Sequence, residues 1–147
     1  MFKRILVATD GSALSKKAVT SAIALAATHD ADLVALNVVP RYPKGYFDGA
    51  MSFSPEDIAL IEKQWADKAQ AMLDTVKSRA EQSGVRVKTA TANSDLVAES
   101  IVAAAKKHKS DLIVMASHGR KGIKRLLLGS ETQHVLAQSM LPVLVLR

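Results

Sequence analysis

Apolar positions along this chain follow two rhythms that alternate from one end to the other. The first is a short unbroken run. ILVATD at 5–10, DLVALNVVP at 32–40 and DLIVMAS at 111–117 are rich in Val, Leu and Ile and close on turn residues. Runs of this length without polar alternation predict strands buried on both faces, the hallmark of a parallel sheet. VRVKTATA at 85–92 alternates instead and predicts a strand with one less buried face, and PVLVLR at 142–147 supplies a last strand.

The second rhythm is helical. Leu14, Ala18, Ala22 and Leu25 or Ala26 recur along 13–29, and Val97, Ile101, Ala104 and Ala105 form a stripe within 94–108. A longer helix, near 30 residues, starts at SPED, with Ser54 as N-cap, Pro55 in the first helical position and Glu56 and Asp57 at the positive helix end. Ile61, Trp65, Ala69, Met72, Val76 and Ala80 give it one face, and Gly84 a stop. A fourth helix starts at about Ser130. The segment 41–53, RYPKGYFDGAMSF, shows no periodicity and reads as a long loop.

The resulting order, β-α-β-α-β-α-β-α-β, predicts an α/β fold: an open, twisted, mostly parallel five-stranded sheet with helices on both faces. A length of 147 residues suits one domain spanning 1–147. Aromatic residues make up only 4% of the chain, so the core is aliphatic. There is no cysteine, which removes disulfides, thiolate metal sites and cysteine nucleophiles, and suits a reducing, cytoplasmic setting. The apolar run after Lys3 and Arg4 meets Asp10 too soon for a signal peptide, and no run approaches the roughly 20 residues of a membrane span. The net charge of +6 favours acidic partners in general. No basic stripe is interleaved with aromatics, so the sequence gives no support to nucleic-acid binding, which would show a steep loss of affinity with salt.

In doubly wound sheets, ligands bind outside the carboxyl ends of strands where the strand order reverses. Three sequence features belong there. ATDGS at 8–12 puts Asp10 at the tip of the first strand, where it could accept hydrogen bonds from a ribose; equally, Asp10 or Ser12 could cap the helix that follows. Val38 and Val39 end the second strand and could offer a backbone edge and an apolar wall to a flat base, or simply be core. The third feature is the stretch MASHGRKGIKRLLLGSETQ at 115–133. Gly119 and Gly129 allow backbone N–H groups near an anion, Ser130 with Gln133 fits a capping box, and Arg120, Lys121, Lys124 and Arg125 add positive charge. His118 could touch a phosphate or stabilise the turn, and Glu131 would repel one if it faced inward. Neither G-x-G-x-x-G after the first strand nor G-x-x-x-x-G-K-[ST] occurs, which counts against Rossmann dehydrogenases and P-loop NTPases.

These residues resemble the universal stress proteins, and the resemblance covers essentially the whole chain. The nucleotide-binding branch of that family carries G-x2-G-x9-G-[ST] after its fourth strand; here Ala116 replaces the first glycine, and Gly119, nine residues and Gly129-Ser130 follow. The opening ILVATDGSALSKKA, the strand end ALNVVP and the tail from Ser110 onward resemble the same family. The resemblance implies a Rossmann-like sheet of the adenine nucleotide alpha hydrolase type that binds ATP, with Mg²⁺ bridging its phosphates. The implied binding residues are Thr9, Asp10, Val38, Ala116, His118, Gly119, Arg120, Gly122, Gly129, Ser130, Glu131 and Thr132. It also implies a homodimer through the last strand, Val143 to Leu146, which would otherwise be an exposed aliphatic edge.

Efficient phosphoryl transfer needs a positioned metal and a group that orients the nucleophile. Only His118, Glu131 and His134 stand near enough in sequence for that, so the reading is a stress-response ATP-binding module with at most slow hydrolysis, with no catalytic residue assigned. A dimeric family member that binds no nucleotide is the alternative. An adenylating enzyme would carry S-G-G-x-D-S after the first strand, where this chain has TDGSAL.

Overall fold

The computed structural model describes residues 1–43, 53–119 and 128–147. Five strands, β1 (Arg4–Ala8), β2 (Asp32–Val39), β3 (Val87–Asn93), β4 (Leu112–Ala116) and β5 (Val143–Leu146), alternate with four helices, α1 (Ala13–His29), α2 (Pro55–Gln82), α3 (Val97–Lys107) and α4 (Ser130–Gln138). The strands lie in the order β3-β2-β1-β4-β5, and every neighbouring pair is parallel.

Right-handed crossovers account for the layering. From β1 the chain steps outward through β2 to β3, placing α1 and α2 on one face. It then returns past β1 to β4 and steps outward the other way to β5, which places α3 and α4 on the opposite face. Two cores result. Ile5, Val7, Leu33, Ala35 and Val114 meet α1 and α2, while Leu6, Val34, Leu36, Ile113 and Met115 meet α3 and α4. Successive residues of one central strand feed different cores, so those strands have no polar face and read as continuous apolar runs. Edge strand β3 has no fully buried position, in keeping with its alternating sequence.

Local chemistry sets the helix ends. Ser12 and Ser54 cap α1 and α2 through hydrogen bonds accepted from the N–H groups of Ser15 and Asp57. Gly84, just past α2, takes a positive φ of 74°, where glycine avoids the Cβ strain that other residues pay. The apolar stripe expected along α2 is only partly buried. Ala69, Leu73, Val76 and Ala80 are its buried residues, whereas Ile61, Trp65 and Met72 remain half-exposed. The reason is length: 28 residues of helix span about 42 Å, against about 26 Å for the eight residues of β2. The first turns of α2 therefore overhang the carboxyl edge of the sheet.

At the opposite edge Arg4, Asp30, Asp32 and Arg86 form a cluster of ion pairs. There Asp32 accepts from Arg86 and Arg4, and the Arg86 hydrogen bond holds its carboxyl below the usual carboxylate range. Asp111 accepts from the backbone N–H groups of Lys3 and Arg4 beside it. Among the described residues, no helix is long and apolar enough to cross a membrane.

Candidate functional site at the strand switch point

The strand order reverses between β1 and β4, so their connections leave in opposite directions and open a crevice at the carboxyl edge. A cleft of about 770 Å³ occupies it, floored by Ala8, Leu36, Val38, Met115 and Ala116.

The β1 side is built from Thr9 to Ser15. Thr9 Oγ1 lies 3.0 Å from Ser15 Oγ, and the Gly11 N–H donates to Thr9 Oγ1 at 3.3 Å. The Ser12 N–H donates to Asp10 Oδ1 at 2.9 Å, and Ser12 Oγ accepts from the Ser15 N–H. Ser12 is thus the helix cap, while Asp10 braces it and keeps its carboxylate at the strand tip.

The β4 side is tied to α4 by Thr132. Its buried hydroxyl donates toward both Ala116 O (2.9 Å) and Ser117 O (3.0 Å), and the Gly129 N–H donates to Ser117 O at 2.7 Å. His118 Nδ1 sits 3.0 Å from Ser117 Oγ, which gives His118 a turn-stabilising contact. Both glycines are needed for close approach. A Cβ on Gly119 would lie 2.5 Å from Asp10 Oδ2, and one on Gly129 would lie 3.1 Å from Ser117 O and 3.2 Å from His118.

Ser130 is not the N-cap expected from the sequence. Gly129 holds that position, with φ −61° and ψ 155°, and Ser130 is the first residue of α4. The short Gly129–Ser117 hydrogen bond and the clash a Cβ would meet there explain the shift by one residue: the cap must press against the β4 exit. Nor does Gln133 close a capping box; its Nε2 donates to Leu128 O at 2.7 Å. Since α4 has no side-chain cap, the N–H groups of Ser130, Glu131 and Thr132 have no acceptor among the described residues, and all three residues line the cleft. That is an anion-binding arrangement, with the helix dipole in the same sense.

Glu131 does not disturb it. Its Oε2 turns away to accept the Ala98 N–H at 3.0 Å and caps α3, whose own N-cap, Leu96, offers no side-chain acceptor. Replacing Glu131 with Ala is expected to cost about 1 kcal/mol, the usual worth of a cap and its charge, seen as a Tm lower by about 2–4 °C. An unchanged Tm would mean that this cap carries no energy.

Val38 sits where the expected backbone edge should be. The last β1–β2 pair is Ala8–Leu36, and the Thr9 N–H donates to Leu36 O. Parallel ladders alternate the side to which each residue's N–H and C=O point. Those of Val38 therefore point the same way as those of Leu36, past the place where β1 has turned off. Arg120 and Gly122 lie outside the described residues, as do Lys121, Lys124, Arg125 and positions 44–52 of the expected loop.

The family model described as the universal stress protein family matches residues 1–147. The chain belongs to that family. It is similar to universal stress protein MJ0531 of Methanocaldococcus jannaschii, at 36% identity over 147 residues, covering all of this chain and 83% of the relative. The solved structure of MJ0577, from the same organism, is 27% identical with a TM-score of 0.83, over 99% of this chain and 96% of that one. A universal stress protein solved in complex with cAMP is 26% identical with a TM-score of 0.72, over 99% and 97% of the two chains.

Within this universal stress protein, the structure brings together Thr9, Asp10, Val38, Ala116, His118, Gly119, Gly129, Ser130, Glu131 and Thr132 around one cleft. Sequence reading missed several of its neighbours. Asn37, the lone amide in the β2 run, is buried and donates from Nδ2 to Thr9 O at 2.7 Å. Its isolation among Val and Leu was a usable signal. Ser94, Asp95, Val97 and Ile101 reach the cleft only through the position of α3, which no local pattern announces.

Proposed function

We propose that this universal stress protein binds ATP at the switch-point cleft and works as a regulatory stress-response module, at most a slow ATPase. The observation that carries the reading is the set of three α4 N–H groups without acceptors among the described residues, at the same cleft as the Asp10 carboxylate. In this reading Asp10 holds the ribose hydroxyls, the backbone edge of Val38 meets the adenine, and the phosphates lie against Gly119, Gly129 and the first turn of α4. Ala116 in place of a glycine adds one methyl to the floor, and the relative that takes cAMP in its own complex supports an adenine nucleotide as the ligand class. Among the described residues no three His, Cys, Asp or Glu form a metal-holding group, so Mg²⁺ would enter bridging the phosphates, as this ion commonly does. Slow turnover fits the candidate bases: Glu131 is engaged by Ala98, His118 is beside Ser117, and His134 is exposed and outside the cleft.

The test is thermal unfolding with ATP, ADP, AMP and cAMP, each with and without Mg²⁺. Ligand at about 100 times its Kd should stabilise by about 2.7 kcal/mol, raising Tm by about 5 °C or more. No shift with any of the four would sink the ATP reading.

The functional unit in this reading is one domain over 1–147, cytoplasmic, and paired into a homodimer through β5. Leu144 on that strand is 38% exposed, and Leu136 and Met140 near it are 43% and 98% exposed. A covered edge strand would bury them. Val145→Asp should give monomers on sizing; an unchanged dimer would place the interface elsewhere.

A further inference from the structure

A second cleft, also about 770 Å³, lies on the other face of the sheet, between α1 and the stretch of α2 from Trp65 to Arg79. Val19 forms one wall, and Trp65, Ala69, Met72 and Val76 the other. Tyr42 stacks on Trp65 with ring centres 6.2 Å apart and planes at 26°, extending the aromatic surface. At the far end the Arg79 guanidinium crosses from α2 to donate to Thr20 Oγ1 on α1 at 2.8 Å.

The charge in this cleft is one-sided. Lys16, Lys68 and Arg79 line it, and none of the three has a carboxylate partner among the described residues. Asp10 is the one acidic side chain among the lining residues; it accepts from the Ser12 N–H and faces Gly119 on the β4 side. On the same stretch of α2, Asp67 pairs with Lys63 and Asp74 accepts from Gln70. A mostly apolar, aromatic-flanked cleft whose cations on both walls have no carboxylate partner among the described residues is complementary to a molecule with an apolar body and an anionic head.

We infer that the α1–α2 cleft is a second ligand site, for an amphipathic carboxylate whose hydrocarbon body lies along Val19, Met72 and Val76 toward Arg79 and whose head meets Lys16 and Lys68 beside Trp65. Its floor, Thr9, Asp10, Asn37, Val38 and Pro40, also lines the switch-point cleft. The two sites therefore share one strip of backbone, although the second does not depend on the first binding ATP.

Trp65 is the only tryptophan in the chain, so its emission reports this cleft directly. Decanoate and decan-1-ol, each below its aggregation limit, would be titrated into the intact protein and into the Lys16→Gln/Lys68→Gln double variant. Decanoate is expected to change Trp65 emission saturably in the parent, with decan-1-ol at least about tenfold weaker and the double variant losing about tenfold for decanoate only. Equal affinity for acid and alcohol, or full retention of decanoate binding by the double variant, would overturn the proposal, as would no response at all. Neither lysine lines the switch-point cleft, so ATP added to the same variant should shift its Tm as in the parent. Loss of the ATP response in both proteins would refute the ATP reading and leave the decanoate result standing.

Discussion

Gly119→Ala is expected to weaken ATP binding by about 10- to 100-fold while leaving the fold intact. The backbone at Gly119 is not in the left-handed region, so alanine meets no conformational penalty there. The cost falls on its neighbour. The new Cβ would lie 2.5 Å from Asp10 Oδ2, and the other oxygen of that carboxylate is held by the Ser12 N–H at 2.9 Å. Asp10 must rotate out of the position from which it would accept the ribose hydroxyls. A hydrogen bond to a charged group is worth about 1.5–3 kcal/mol, which is the stated range in affinity. Titration calorimetry with ATP and a melting curve of the free variant measure the two halves. Undiminished affinity in a folded variant would show that Asp10 does not hold the ligand. Gly129 is a poorer place for this experiment: an added Cβ there meets Ser117 O and His118 first, so any change would report the β4–α4 connection rather than a phosphate.

Leu73→Ala should have the largest effect on stability, a loss of about 3–5 kcal/mol. Leu73 is fully buried, and the other buried residues of α2 are two alanines and a valine. One side chain thus supplies much of the apolar contact that fixes a 28-residue helix to the sheet, and the overhanging turns contribute no buried residue. Leu60, 56% exposed on that overhang, serves as the control, and Leu60→Ala should change stability by less than about 0.5 kcal/mol. Urea unfolding followed by circular dichroism and by Trp65 emission gives both values. Comparable losses in the two variants would mean that α2 is held by its amino-terminal half.

Leu73 also marks a limit of periodicity. A stripe through Ile61, Trp65, Ala69, Met72, Val76 and Ala80 is a sound helical face, yet the sheet selects Leu73 over Met72, neighbours 100° apart on the same helix. Which edge of a broad apolar face turns inward depends on where the helix axis lies over the strands, and that is set by crossovers elsewhere in the chain. Ser130 shows the same limit at finer scale. Gly129-Ser130 fits a cap at either residue by local rules, and the contact of Gly129 with the β4 exit decided between them.

By itself the sequence determined the element order, the parallel sheet, the Ser54 cap, the turn at Gly84 and the family, because each rests on short-range chemistry or on strands buried from both sides. Its strand-tip residues Thr9, Asp10 and Ala116 and the Gly129-Ser130 helix start line one cleft. Only the tertiary structure decided that Glu131 turns to cap α3, that Asp10 and Gly119, far apart in the chain, approach each other across the switch point, and that α1 and α2 leave a second cleft between them. Those outcomes depend on how elements distant in sequence meet over the sheet, and no local pattern of side chains records such a meeting.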